Sequence, residues 1–233
     1  MPTKSSPYQP LLLRLLHGAT GIATILAIIT AYWTYDTYDG RLIQFLPKFP
    51  EIEGIHGTLG LCSLLLLPLF VLYACHRGAR RLIAPDSLGK LRHLDKPIGW
   101  YSLHRVVNTV SLIALTLAVV SGKMMDEKWL PKGELDHPWY YVHVASWVIL
   151  LLCVAAHVLV NVRVGGMSLL LSVWRWQYRA QDSPAKWLAQ IKTWWRGFGV
   201  TLGQEWGKLS IRLQILEVTI MVSVVLAWLF SIG

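Results

Sequence analysis

Charge is scarce in this chain. Only 15% of its 233 residues are Asp, Glu, Lys or Arg, while 54% are hydrophobic. A soluble globular domain carries about 25% charge. The deficit is uneven, because charges crowd between long apolar runs. That pattern excludes an ordinary soluble domain and describes a chain that crosses a membrane repeatedly. Cysteine is scarce too. Cys62, Cys75 and Cys153 lie in or at the ends of apolar runs, and none forms a CxxC or CxxCH. A disulfide framework and covalent c-type haem attachment are therefore excluded. Net charge is +9. In a soluble protein this would suggest nucleic acid, but here the basic residues gather in particular loops. No nucleic-acid partner is expected, and the cations are topology signals. The run from Leu11 is too long for a signal-peptide core and lacks a cleavage site behind it, so it is expected to stay as a span.

A helix needs about 20 apolar residues to cross the hydrocarbon core. Five stretches qualify: Leu11–Trp33, Ile55–Cys75, Leu103–Gly122, Trp139–Val160 and Leu213–Phe230. Runs this long must be helical, since lipid offers an open strand edge no partner. The fold class is all-α, a polytopic helical bundle with a four-helix core and a fifth C-terminal span. The expected division is 1–165 for the core, 166–209 for an interfacial segment and 210–233 for the fifth span.

Lys and Arg set the orientation. The second loop holds Arg77, Arg80, Arg81, Lys90, Arg92 and Lys96, and the fourth holds Arg163, Arg175, Arg179, Lys186, Lys192, Arg196 and Lys208. The first loop sets Arg41 and Lys48 against Asp36, Asp39, Glu51 and Glu53. The third mixes Lys123, Lys128 and Lys132 with Asp126, Glu127, Glu134 and Asp136. The positive-inside rule puts the N-terminus and loops two and four in the cytoplasm, and five spans then leave the C-terminus outside. Asp136 and Pro138 are placed to cap and start the fourth helix. In the fourth loop, Leu188, Ile191, Trp195, Phe198 and Leu202 recur at helical spacing beside Lys186, Lys192 and Arg196. This reads as one amphipathic helix in the interface. A helix packed on the protein itself, or a docking surface for a soluble partner, are the other readings.

Histidines carry the chemistry. His17, His56, His143 and His157 fall inside or at the edge of apolar runs, where an ionisable group is a functional candidate. A lone one is more often a satisfied core residue. The set is stronger because depths match: His17 and His157 lie toward the cytoplasmic ends of helices one and four, and His56 and His143 toward the outer ends of helices two and four. Two imidazoles at one depth on different helices are what bis-histidine ligation of haem iron requires. His143 and His157 are 14 residues apart, about 40° short of four full turns, so they project toward nearly one face with a rise of about 21 Å. That separation rules out one shared zinc site. Helix one reads HGATG from His17 and helix two HGTLG from His56. Gly21 and Gly60 thus sit one turn from a histidine, leaving room for a flat porphyrin. Close helix packing would also use glycine there.

Between Leu11 and Arg163 these histidines resemble the bacterial cytochrome b561 family and the related cytochrome b subunits of nickel-iron hydrogenases and formate dehydrogenases. The resemblance implies two haem b groups in a four-helix bundle, with one histidine on helix one, one on helix two and two on helix four. The matching positions are His17, His56, His143 and His157. It also implies electron transfer between a membrane quinone and a partner, in a bacterial inner membrane or a thylakoid.

Other residues could serve the same end. His76 is turned about 160° from His56, which argues against ligation, whereas His104 competes with His17. Haem propionates favour arginine, and Arg14 and Arg105 lie at a suitable level, where they also read as positive-inside anchors. Tyr101, His104 and Asn108 form one stripe suited to a quinone. Glu217, an acid inside helix five, reads either as a proton-transfer group or as the partner of Arg212 or a loop cation. Three functions follow: a dihaem electron carrier, a superoxide or quinone oxidoreductase acting alone, and a haem-bearing anchor subunit of a larger redox complex. Acidic outer loops weaken the superoxide version, since a superoxide anion needs a basic funnel.

Overall fold

The computed structural model describes residues 8–41, 44–125 and 135–232. Asp126, Glu127, Lys128, Lys132 and Glu134 of the third loop lie outside the described residues. The helices are α1 (Leu11–Tyr38), α2 (Ile52–His76), the single turn α3 (Ser87–Lys90), α4 (Pro97–Met124), α5 (Pro138–Leu170), α6 (Pro184–Arg196), α7 (Phe198–Gly207) and α8 (Ile211–Ile232). Among the described residues there is no strand. α1, α2, α4, α5 and α8 are long and apolar enough to cross a membrane. Each extends a few residues beyond its apolar run, because lipid-facing sequence need not stop where the hydrogen-bonded helix stops.

The bundle is two antiparallel hairpins. α1 lies along α2, with Thr30 beside His56 at one end and His17 beside Phe70 at the other. α4 lies along α5, with Ser121 beside His143 and Asn108 beside His157. The end that holds the start of α1 is termed proximal here, and the opposite end distal. Contact between α2 and α4 joins the hairpins, and α8 packs on both. Leu64, Leu67, Val71 and Cys75 of α2 recur at steps of three and four and are buried there. They form one core with Leu112, Leu115 and Val119 of α4 and with Ile220 and Val224 of α8. By contrast, Ile22, Ile25 and Ile29 of α1 and Leu151, Leu152 and Leu159 of α5 are exposed. An apolar face of that extent belongs in lipid.

Several local expectations need correction. Glu217 is buried and pairs with His76 (Nε2 to Oε1 3.1 Å) between α8 and α2, and not with Arg212 or a loop cation. Arg212 instead reaches the carbonyl of Pro85 at 3.5 Å. A buried carboxylate takes the donor already inside the bundle, because a loop cation would have to be desolvated to reach it. The N-cap of α5 is His137, whose ring nitrogen accepts from the Trp139 N–H, and Asp136 accepts from the Tyr141 hydroxyl at 2.8 Å. Pro138 at the first helical position fixes the preceding residue as the cap. The interfacial helix is two helices, broken at Gly197, since glycine loses more backbone freedom in a helix than any other residue. Leu188 and Ile191 of α6 are exposed, so these two side chains are not packed on the protein. The side chains of Phe198 and Leu202 lie outside the described set. α5 bends sharply at Gly166, whose φ of 66° and ψ of −175° belong to glycine alone.

The His76–Glu217 pair ties α8 to the bundle. Glu217→Ala leaves His76 without its partner and is expected to cost about 1–3 kcal/mol. Glu217→Gln keeps an acceptor and should lose less. Thermal denaturation of the detergent-solubilised protein checks this, and equal midpoints for all three proteins would contradict it.

Candidate functional site

α5 carries a histidine near each end of its apolar run Trp139–Val160, and each meets another helix. At the proximal end the rings of His17 and His157 have centroids 5.8 Å apart and planes inclined by 30°. At the distal end the rings of His56 and His143 are 5.9 Å apart and inclined by 70°. The pairs are therefore those that depth matching anticipates. Trp147 lies between them on α5 and donates to the Ile28 carbonyl at 3.0 Å, which locks α5 against α1.

Hydrogen bonds fix which nitrogen of three rings holds the proton. His143 Nδ1 lies 2.9 Å from the Ala118 carbonyl, which can only accept, so Nδ1 donates. Ser121 stands beside the same nitrogen at 3.1 Å. His157 Nδ1 lies 2.9 Å from Asn108 Oδ1. The Asn108 amide is oriented by its Nδ2, which donates to the Arg81 carbonyl at 2.9 Å. Oδ1 therefore accepts, and His157 Nδ1 donates. His56 Nδ1 lies 3.2 Å from Thr30 Oγ1, whose own proton goes to the Leu26 carbonyl at 2.9 Å, and the His56 ring also hydrogen-bonds the Ala27 carbonyl. In all three the neutral ring leaves an unprotonated Nε2 with a free lone pair.

Space surrounds both pairs. A Cβ built on Gly18, Gly21, Gly57 or Gly60 would meet nothing within 4 Å. The hydroxyls of Thr20, Thr24 and Ser63 are buried without a partner. Thr20, Gly21 and Thr24 follow His17 by three, four and seven residues and so share its face. On the other flank the packing is close: a Cβ on Gly122 would stand 3.0 Å from His143 Cε1. Thr30, Ser121, Gly122 and the orienting part of Asn108 are not singled out by the sequence. Their signal is the depth rule applied to polar and small residues as well as to histidines.

The remaining candidates separate into groups. His104 is buried, and its ring lies 6.3 Å from that of His157. Asn108 Nδ2 lies 3.3 Å from His104 Nε2, and His104 Nδ1 is buried with no close hydrogen bond. Tyr101 and Arg105 share the stripe with His104, but their donors reach the Arg80 carbonyl at 3.4 Å and 2.9 Å. The connection from α2 to α4 thus folds over the stripe. Arg14 is buried and donates to the carbonyls of Arg175 and Gln177. Glu217 is held by His76 and does not join the stripe. Around the distal end, Asp39 binds Arg41 (2.5 Å) and the Tyr140 hydroxyl. Burial pushes its carboxyl up, but those hydrogen bonds outweigh it and hold the group below the usual carboxylate range.

A family model described as prokaryotic cytochrome b561 matches residues 8–176, the stretch that holds both pairs. The chain belongs to the prokaryotic cytochrome b561 family. Membership makes it a membrane-embedded b-type cytochrome of electron transfer. No curated protein and no solved structure matches the chain. A reduced-minus-oxidised spectrum of protein purified from haem-replete cells is expected to show b-type bands, and their absence would contradict that chemistry.

Proposed function

We propose that this b561-family cytochrome holds two haem b groups, one on His17 and His157 and one on His56 and His143, and carries electrons between the two faces of the bilayer. The observation that carries the reading is the presence of two interhelical imidazole pairs on one straight stretch of α5. Imidazole–metal bonds of about 2 Å on each side of an ion put two ring centroids roughly 6 Å apart. The spacings of 5.8 and 5.9 Å fit that requirement. The open sides of Gly21 and Gly60 and the unpartnered hydroxyls on the His17 face support the presence of a broad group beside each pair.

Bound haem supplies one-electron chemistry at the iron. The chain supplies the rest. Ala118, Asn108 and Thr30 take the Nδ1 protons and so keep three Nε2 lone pairs directed away from their own helices; such outer partners set ring orientation and ligand basicity. The helical rise along α5 fixes the distance between the pairs at about 21 Å. Lipid around α1 and α5 excludes water. The N-terminus and the connections after α2 and α5 are placed in the cytoplasm, following their arginines and lysines, and the C-terminus outside.

A membrane quinone is the redox partner in this reading, bound near the proximal pair. Its support is His104. Asn108 Nδ2 can only donate, so His104 Nε2 accepts and the ring proton rests on Nδ1, which has no close hydrogen bond and only the Asn161 side chain within reach. That N–H is a buried donor suited to a quinone carbonyl. Tyr101 and Asn108 line the same stripe but are committed to loop carbonyls. Arg14 is committed to the carbonyls of Arg175 and Gln177, which leaves Arg105 as the candidate for a propionate of the proximal haem.

The pairing is tested by four single alanine substitutions followed by haem quantitation and redox titration. His17→Ala and His157→Ala should remove the same haem, and His56→Ala and His143→Ala the other. His104→Ala should keep both and weaken quinone reduction. Loss of a haem in His104→Ala, with His17→Ala unaffected, would overturn the proximal pair.

A further inference from the structure

The proximal end holds a second polar cavity, lined by none of the histidines. It has a volume of about 200 Å³ and lies between the start of α1 and the stretch that follows the Gly166 bend. Arg14, Arg175 and Arg179 line it with Tyr8, Gln177 and Tyr178, and among the described residues no acidic side chain does. Asp182 stands at its edge, where it accepts from the hydroxyl of Tyr8.

Arg14 is 5% exposed, and its guanidinium nitrogens donate to the carbonyls of Arg175 and Gln177. Its Nε is buried with no partner. A guanidinium stays charged wherever it sits, and carbonyl dipoles supply no countercharge. Arg179 stands 4.1 Å over the Tyr8 ring, and Arg14 stands 5.9 Å from the same ring. Three guanidinium groups around one cavity repel one another until an anion enters, and a phosphate is the oxyanion their fork geometry suits.

The surroundings identify the source of that phosphate. The cavity opens where α5 leaves the span, beside Trp174 and Trp176, which are 62% and 82% exposed. Beyond it α6 presents exposed Leu188, Ile191 and Trp195 on one face and Lys186, Lys192 and Arg196 around the other. From Arg175 to Arg196 the chain carries five cations (Arg175, Arg179, Lys186, Lys192, Arg196) against the single acid Asp182. Exposed indoles with basic residues at the end of a span mark the headgroup layer, and cations there attract anionic lipid.

We propose that this cavity binds the headgroup phosphate of an anionic phospholipid, with α6 lying in the same headgroup layer. The site couples the start of α1, and so the backbone that carries His17, to the lipid composition of its leaflet. The proposal rests on the membrane placement of the spans and not on haem ligation.

Native mass spectrometry of the detergent-purified full chain tests it with phosphatidylglycerol and phosphatidylcholine as probes. The wild type is expected to retain phosphatidylglycerol in preference. Arg175→Gln combined with Arg179→Gln should weaken that retention about tenfold or more with haem content unchanged. Both positions are exposed, and Arg179→Gln alone gives a milder variant whose retention should fall between the two. Equal retention of the two lipids, or an unchanged preference in the double variant, would overturn the proposal. Displacement of phosphatidylglycerol by millimolar inorganic phosphate would replace the lipid with free phosphate. Loss of haem with the lipid preference intact would assign the arginines to a propionate.

Discussion

A neutral imidazole has one proton and one lone pair, and inside a lipid-facing bundle neither can be left to water. The rest of the arrangement follows from where that single proton goes. In His143 it goes to a backbone carbonyl of α4, in His157 to the Asn108 amide, and in His56 to the Thr30 hydroxyl. Each bond runs to a neighbouring helix, so each fixes ring orientation and helix register together. The lone pairs that remain lie in the gaps between helices, beside glycines that leave room. In the proposed reading, those gaps are where haem is held.

This constraint divides labour within the bundle. α2, α4 and α8 bury a continuous apolar core and provide the rigid frame. α1 and α5 expose apolar faces to lipid and meet chiefly through Trp147 and the proximal histidines. α8 contributes no histidine. It holds the α2–α4 side through Ile220, Val224 and the His76–Glu217 pair. The proximal end is more polar than the spans because three connections converge on it: the N-terminal segment, the α2–α4 connection and the arginine-rich stretch after α5.

Much of this was legible in the sequence. Continuous apolar runs dictate spanning helices, and helical geometry then converts residue number into depth. Depth is enough to pair His17 with His157 and His56 with His143, and the rotation per residue within helix two turns His76 away. Depth alone does not give azimuth between helices, so the sequence offers Glu217 Arg212 or a loop cation as a partner, whereas the closer donor is His76. Nor does it show which donors are already committed. Tyr101, Arg105 and Asn108 look free on a stripe, but the carbonyls of Arg80 and Arg81 fold back to receive them. The break at Gly197 was hidden because the apolar period continues across it, although the helix does not.

The central claim is that two irons sit in two different bis-histidine environments. The imidazole planes are inclined by 30° at the proximal pair and 70° at the distal pair. The signal of a low-spin ferric haem depends on that angle, so low-temperature electron paramagnetic resonance of the oxidised protein tests the claim directly. The account predicts two distinct low-spin signals of equal intensity, the more anisotropic one lost in His56→Ala. A single low-spin signal, or a dominant high-spin signal from five-coordinate iron, would contradict it.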